Sequence, residues 1–333
     1  MKPLIPILTL LTLVAANPVH LYADSHAAQP RMKILIDTDA NNELDDQHAL
    51  AYAFTNPNTF EVVGVTVNNT FNGNGIQGQY DEALRILTLF NLQDSLPLIK
   101  GATGNYEDIL PTLNQPDHDG HAAVDFIIEE ALKMKNERLI LVPVGKLTNV
   151  ALALQKEPAI IDKVKVVWMG TNYPDPGEYN MINDLSAVNP VIESKVPLEI
   201  IPARYGKPTA SDAVKVTPGE IMEKMKDRGP RAQSAIIGRN GGTFRHFGNY
   251  SINLFQNIEL YGDPPARAMF AMVALAVLKN PDWGVASRIS APLLQGEGWK
   301  QRIGNRHTII IWDRFNRDEI INDFFQQMNR ASK

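Results

Sequence analysis

The chain contains no cysteine among its 333 residues, which excludes disulfide staples, thiol nucleophiles and thiolate metal sites. Nor does it carry a surplus of positive charge: 32 Lys and Arg stand against 37 Asp and Glu. No block of basic residues concentrates what there is, so the electrostatic footprint of a nucleic-acid binder is missing. After the first segment no apolar run approaches the ~20 residues that span a bilayer. Internal repeats, low-complexity tracts and Pro/Gly linkers are absent as well, and nothing in the composition divides the chain. What remains is a composition of 44% hydrophobic and 21% charged residues, typical of a globular protein with ample core material.

The first residues, "MKPLIPILTLLTLVAANPVHLYADSHAAQ", combine a basic start at Lys2, an apolar run from Leu4 to Ala16, and small residues suited to cleavage near Ala16 or Ala23. They read as a secretory signal peptide over residues 1–23, which predicts a periplasmic or secreted protein. An uncleaved anchor is the competing reading, and the shortness of the apolar run opposes it.

Beyond the leader, apolar strand-like runs at Lys33–Ile36, Glu61–Val67, Leu96–Ile99, Leu139–Val144, Val164–Met169 and Leu198–Ile201 alternate with helical patterns at Glu43–Thr55, Ile76–Phe90, Ala122–Lys135, Leu147–Gln155 and Ala187–Ser194. This alternation predicts an α/β class, an open, mainly parallel twisted sheet with flanking helices. A helix-rich C-terminal part from Thr217 to Leu278, a small β pair in "ASRISAPLLQ" and "HTIIIWDRF", and a last helix complete a single domain over residues 32–331.

In a parallel sheet, ligands bind beyond the carboxyl ends of the strands. The stretch "IDTDANNELDDQHAL" sits there and holds five carboxylates, Asp37, Asp39, Glu43, Asp45 and Asp46. Helix capping and the helix dipole account for acids at the start of the following helix. They do not account for Asp37 and Asp39, where the strand ends. Like charges crowded there raise one another's pKa unless a cation lies among them, and a hard divalent ion with oxygen ligands resolves the conflict. An EF-hand does not fit, because its glycine position is Asn42 and its final glutamate position is His48. A phosphate loop and a G-x-S-x-G elbow do not fit either.

Asp37-Thr38-Asp39 followed by Asp45-Asp46 resembles the N-terminal signature of the nucleoside hydrolases. The segments "VVGVTVNN", "AVDFIIEEAL" with "LILVPVGKLTNVALAL", "VVWMG" with "EYNMINDLSAVNPVIES", and "YGDPPARAMFAMVALAVLKNP" resemble later parts of that family in order. The resemblance implies an open α/β domain that hydrolyses the N-glycosidic bond of ribonucleosides with a bound Ca²⁺. It implies Asp39, Asp46 and Asp263 as side-chain metal ligands, the backbone carbonyl of Val144 as another, and Asp39 as the base that activates a Ca²⁺-bound water. Sugar recognition then falls to Asp45, Glu178 and Asn180, with Asn69 as a further candidate. Taken alone, Asp45 also reads as a helix cap, Glu178 and Asn180 also read as solvated loop residues, and Asn68 and Asn72 compete with Asn69. Carboxylates beside the sugar suit an oxocarbenium-like transition state. The family often forms dimers or tetramers.

Three features depart from the family pattern. The turn "ANNEL" is two residues longer than usual. The position before Asp263, where a His or an aromatic often assists the departing base, is Gly262. The segment "GTNYPDPGEYN" is short, with Asn172 as the substitute for a missing Asn. His246, near Phe244, Phe247 and Tyr250, is the candidate leaving-group acid, and His118 or His121 could reach the sugar's 5′ end. Two other readings stand beside this one: a secreted Ca²⁺-dependent riboside-binding protein without turnover, and a Mg²⁺-dependent phosphatase of the haloacid dehalogenase type.

Overall fold

Apolar, β-branched runs with almost no polar interruption build the centre of the molecule, as expected for parallel strands covered on both faces. The computed structural model describes residues 31–332. Its main sheet has eight strands: β1 (Met32–Thr38), β2 (Phe60–Val67), β3 (Leu98–Lys100), β4 (Leu139–Pro143), β5 (Val164–Met169), β6 (Leu198–Ile201), β7 (Val285–Ser290) and β8 (Thr308–Asp313). Their spatial order is β7-β8-β6-β5-β4-β1-β2-β3. All neighbours are parallel except β7 and β8. The expected small β pair is therefore not a separate unit. Its second strand pairs with β6, so the pair extends the main sheet.

Alternate residues of β1 enter different core clusters, Ile34 and Ile36 one, Leu35 the other, because successive side chains of a strand point to opposite faces. Helix α1 (Asp45–Phe54) and α2 (Gly75–Leu89) contribute to the first cluster. A later helix, α3 (Phe270–Lys279), joins them and is apolar on all sides, with Ala271 through Ala276 fully buried.

The chain order of the strands reverses where β4 meets β1. Such a switch point opens a crevice beyond the strand ends, and Asp39 and Val144 are the residues that leave those two strands.

Candidate active site

Asp37 is not part of a cleft. Its carboxylate, 1% exposed, accepts hydrogen bonds from Thr66 Oγ1 at 2.6 Å, Asn149 Nδ2 at 2.8 Å and Asn68 Nδ2 at 3.0 Å. Burial pushes it up to about 6, and these three donors act against that rise. Asp37 thus ties β1 to its neighbours and needs no cation, contrary to the expectation from its position alone.

The longer turn still brings the other carboxylates together. Ala40 and Leu44 are buried, which folds the extra residues against the core. Asn41 is tied to α2 through Gln79 Oε1 and to the next loop through the Gly73 carbonyl. Asp46, in the first turn of α1, accepts from Thr38 Oγ1 and from the Asp39 amide at 3.1 Å with one oxygen. Asp39 Oδ2 accepts from Thr70 Oγ1 at 2.7 Å. Asp45 Oδ2 accepts from the amide of Ala271 at 2.8 Å, at the positive end of α3. Burial pushes Asp39 up to about 6 and Asp45 to about 7, and it holds Asp46 well above the carboxylate range.

These three acids line a cleft of about 270 Å³ together with Asn42, Glu43, Val144, Met169, Glu178, Tyr179, Asn180, Ala203, Tyr205 and Phe270. That size is just below the lower end of small-molecule sites, ~300–1,000 Å³. Asn180 Nδ2 donates to the Val144 carbonyl at 2.6 Å and to the Met169 carbonyl at 3.1 Å, joining the ends of β4 and β5. Glu178 caps the short helix Tyr179–Asn183, accepting from the amides of Thr171, Asn180 and Met181. Burial pushes its carboxyl up to about 7 against these three bonds.

Of the residues singled out by sequence, Asp39, Asp45, Asp46, Val144, Glu178 and Asn180 share this cleft. Three do not. Asn69 lies in a neighbouring polar hollow with Lys146 and Asn105, because its side chain turns to the Thr103 carbonyl. His246 precedes the helix Phe247–Gln256, and its Nδ1 faces the Gly229 carbonyl at 3.3 Å. Phe247 and Tyr250 beside it are buried core, not stacking platforms. Asp263 is exposed in a surface hollow with Lys215 and Arg317. The paired hydrogen bonds between Tyr261 and Ala266 close a tight turn there, which projects Asp263 away from the cleft.

Sequence reasoning missed Tyr205 and Phe270 as cleft residues, whereas Glu43, counted in the acidic stretch, does line the cleft. Tyr205 follows β6, and the strand-end rule applied to the other loops would have marked it. Asn68, which competes with Asn69 for a role in the site, is fully buried with an Oδ1 that has no partner among the described residues. A Cβ on Gly145 would lie 2.7 Å from this oxygen and 2.8 Å from Asp39 Oδ1. Asn68 Nδ2 lies equally near, at 2.8 Å, so Asn68 and Asp39 crowd a space that only glycine leaves open. The carboxylates of Asp39 and Asp46 and the Val144 carbonyl fit part of a cation's donor set. Among the described residues no group of three or more His, Cys, Asp or Glu side chains is arranged to hold a metal.

An open, mainly parallel sheet with carboxylates and a polar amide at its switch point defines a polar ligand cleft of the α/β class. Residues 34–282 match the family described as inosine-uridine preferring nucleoside hydrolase. The chain belongs to that family, which places it among the hydrolases acting on N-glycosyl compounds. It is 27% identical over 272 residues to the pyrimidine-specific ribonucleoside hydrolase RihB of Escherichia coli strain SE11, covering 76% of this chain and 80% of that one. It is 31% identical over 195 residues to the uncharacterized protein C1683.06c of Schizosaccharomyces pombe, covering 51% of this chain. The chain spans 61% of that yeast relative's length. The purine-preferring ribonucleoside hydrolase from Gardnerella vaginalis has the same fold, with a TM-score of 0.66 at 19% identity over 90% of this chain and 99% of that one. The family match sets aside the phosphatase reading.

Proposed function

We propose that this protein hydrolyses the N-glycosidic bond of ribonucleosides, releasing ribose and a free base, and that it does so outside the cytoplasm after loss of residues 1–23. The leader lies outside the described residues, and its sequence alone supports export. The observation that carries the catalytic reading is Asp39. Its carboxylate lines the cleft, is oriented by Thr70 through one oxygen, and has its other oxygen beside the Gly145 backbone.

In this reading, Asp39 Oδ1 accepts a proton from the attacking water while the water oxygen bonds to the anomeric carbon. The C–N bond breaks and its electron pair leaves with the base, which takes up a proton. Positive charge develops on the ribosyl ring as the bond breaks, and Asp45 and Asp46 stabilise it. Asp45 and Asn180 hold the sugar hydroxyls, and Tyr205 with Phe270 forms an apolar wall for the base. A divalent ion, Ca²⁺ by resemblance, would be held by Asp39, Asp46 and the Val144 carbonyl, where it would polarise water and engage the sugar.

The test is release of free base from a panel of purine and pyrimidine ribonucleosides, with added Ca²⁺ and with chelator, by the wild type beside Asp39→Asn. Pyrimidine ribosides lead the panel because the Escherichia coli relative bears that specificity in its name. Removing a general base costs ~10²–10⁴-fold, so release falls by that factor in Asp39→Asn while the fold is kept. A second reading, riboside binding without turnover, draws on Gly262, which stands where a leaving-group residue is expected. Binding with no release from any nucleoside would favour it and overturn the hydrolase.

A further inference from the structure

We infer that the divalent ion of this protein is held by two carboxylates rather than three, and that vicinal hydroxyls of the bound sugar complete its shell. The site is then a loose one that is occupied together with substrate. The inference rests on the ribonucleoside hydrolase reading above.

The C-terminal segment supplies no acid to the cleft. What it brings there is the ring of Phe270 and the amide of Ala271, and the amide is engaged by Asp45 at 2.8 Å. Asp263 projects from its turn toward solvent, in the same hollow as Lys215 and Arg317. The remaining acids of the cleft are committed elsewhere. Glu43 forms an ion pair with Arg267. That guanidinium, 5% exposed, packs 5.3 Å from the ring of Tyr261 and 5.8 Å from that of Tyr205, which holds the pair in the cleft wall. Glu178 spends its carboxylate on three backbone amides at 2.7 to 3.0 Å.

An ion in this cleft therefore meets Asp39, Asp46 and the Val144 carbonyl. Calcium takes about 6–8 oxygens, so these donors supply roughly half of its shell. Water fills the rest until a ribose presents two adjacent hydroxyls. Affinity for such ions follows the number of charged ligands, and sparse sites have Kd values of about 10⁻⁴ to 10⁻³ M. Magnesium, which keeps several waters and uses one or two carboxylates, is discriminated against less here than in a fully charged cage. By linkage, the sugar that tightens the ion is itself tightened by the ion to the same degree.

The experiment is isothermal titration of Ca²⁺ and Mg²⁺ into the chelator-stripped full chain, with and without saturating anhydroribitol. This is a ribofuranose ring with both hydroxyls and no base to release. The expected result is a Kd near 10⁻⁴ M or weaker for either ion alone, and at least ~10-fold tighter with the sugar analogue. Asp263→Asn should match the wild type, and Asp46→Asn should lose the heat. Tight ion binding without the analogue overturns the proposal. So does weakened binding in Asp263→Asn, or no heat from either ion under both conditions. Failure of the catalytic reading is distinguishable, because it leaves ion binding in place with no base released.

Discussion

Replacing Thr70 by Val tests whether Asp39 is the base, because the change touches Asp39 through a single hydrogen bond. Thr70 is 4% exposed and donates to Asp39 Oδ2 at 2.7 Å. Valine keeps the shape and removes the donor. Gln79, whose Nε2 also approaches Thr70, retains the Asn72 carbonyl at 2.9 Å as its acceptor. A hydrogen bond to a charged group contributes about 1.5–3 kcal/mol, and it favours the ionised form of the acceptor. One pKa unit corresponds to about 1.4 kcal/mol, so losing the bond should raise the pKa of Asp39 by ~1–2. Free-enzyme ionisations govern kcat/KM. The acidic limb of its pH profile, followed by base release, should therefore move upward by ~1–2 pH units. At a pH below both limbs the variant should be ~10–100-fold slower, and at alkaline pH the two enzymes should converge. A variant slowed equally at every pH, with its limb where the wild type has it, would refute the role given to Asp39.

Other expectations follow from the same cleft. Burial raises the pKa of Asp39 to about 6 and of Asp45 and Glu178 to about 7. Between about pH 4 and 7 the unfolded chain binds fewer protons than the folded one, so these groups withdraw stability as pH rises. In chelator, thermal unfolding should come at a lower temperature at pH 8 than at pH 5, and the opposite order would contradict the burial argument. Gly145→Ala should lower kcat and cost about 1–3 kcal/mol by overpacking, because its Cβ would meet Asn68 Oδ1 and Asp39 Oδ1 at 2.7 and 2.8 Å; unchanged kinetics and melting would show that the space is slack. Tyr205→Ala should raise KM by ~5–150-fold, in line with about 1–3 kcal/mol of base stacking. Its melting temperature should hardly change, since Tyr205 is 53% exposed. A KM equal to that of the wild type would remove Tyr205 from the base site.

The sheet was legible in sequence because its strands are continuous apolar runs. Six of the eight strands match such runs, and all six are parallel. The acids at the end of β1 were legible for a related reason: charge directly after a buried strand needs an explanation, and Asp39, Asp45 and Asp46 share the cleft. What could not be read was direction. Asn68 and Asn69 are neighbours of the same type, yet one turns to Asp37 and the other to the Thr103 carbonyl. Asp263 was assigned by its place in a motif, and a turn closed by Tyr261 and Ala266 carries it to the surface. His246 looked chemical because of its aromatic neighbours, but Phe247 and Tyr250 are aromatic for the sake of the core. Glu43 was counted as one more acid of the cluster, whereas its partner Arg267 lies far along the chain and is invisible to local pattern.

The bond from the Ala271 amide to Asp45 joins residues 226 positions apart. A chain made from its N-terminus has its sheet centre, its acidic turn and most of its cleft residues long before α3 emerges. Until then Asp45 lacks its amide partner and the cleft lacks the Phe270 wall. The site is thus among the last features to be assembled, and contacts of such separation form slowly because a long loop must close first. Truncation near the C-terminus, or a delay in docking α3, would leave a chain with much of its sheet in place and no working cleft. Activity in this protein therefore reports completion of the whole fold, not the presence of its acidic motif.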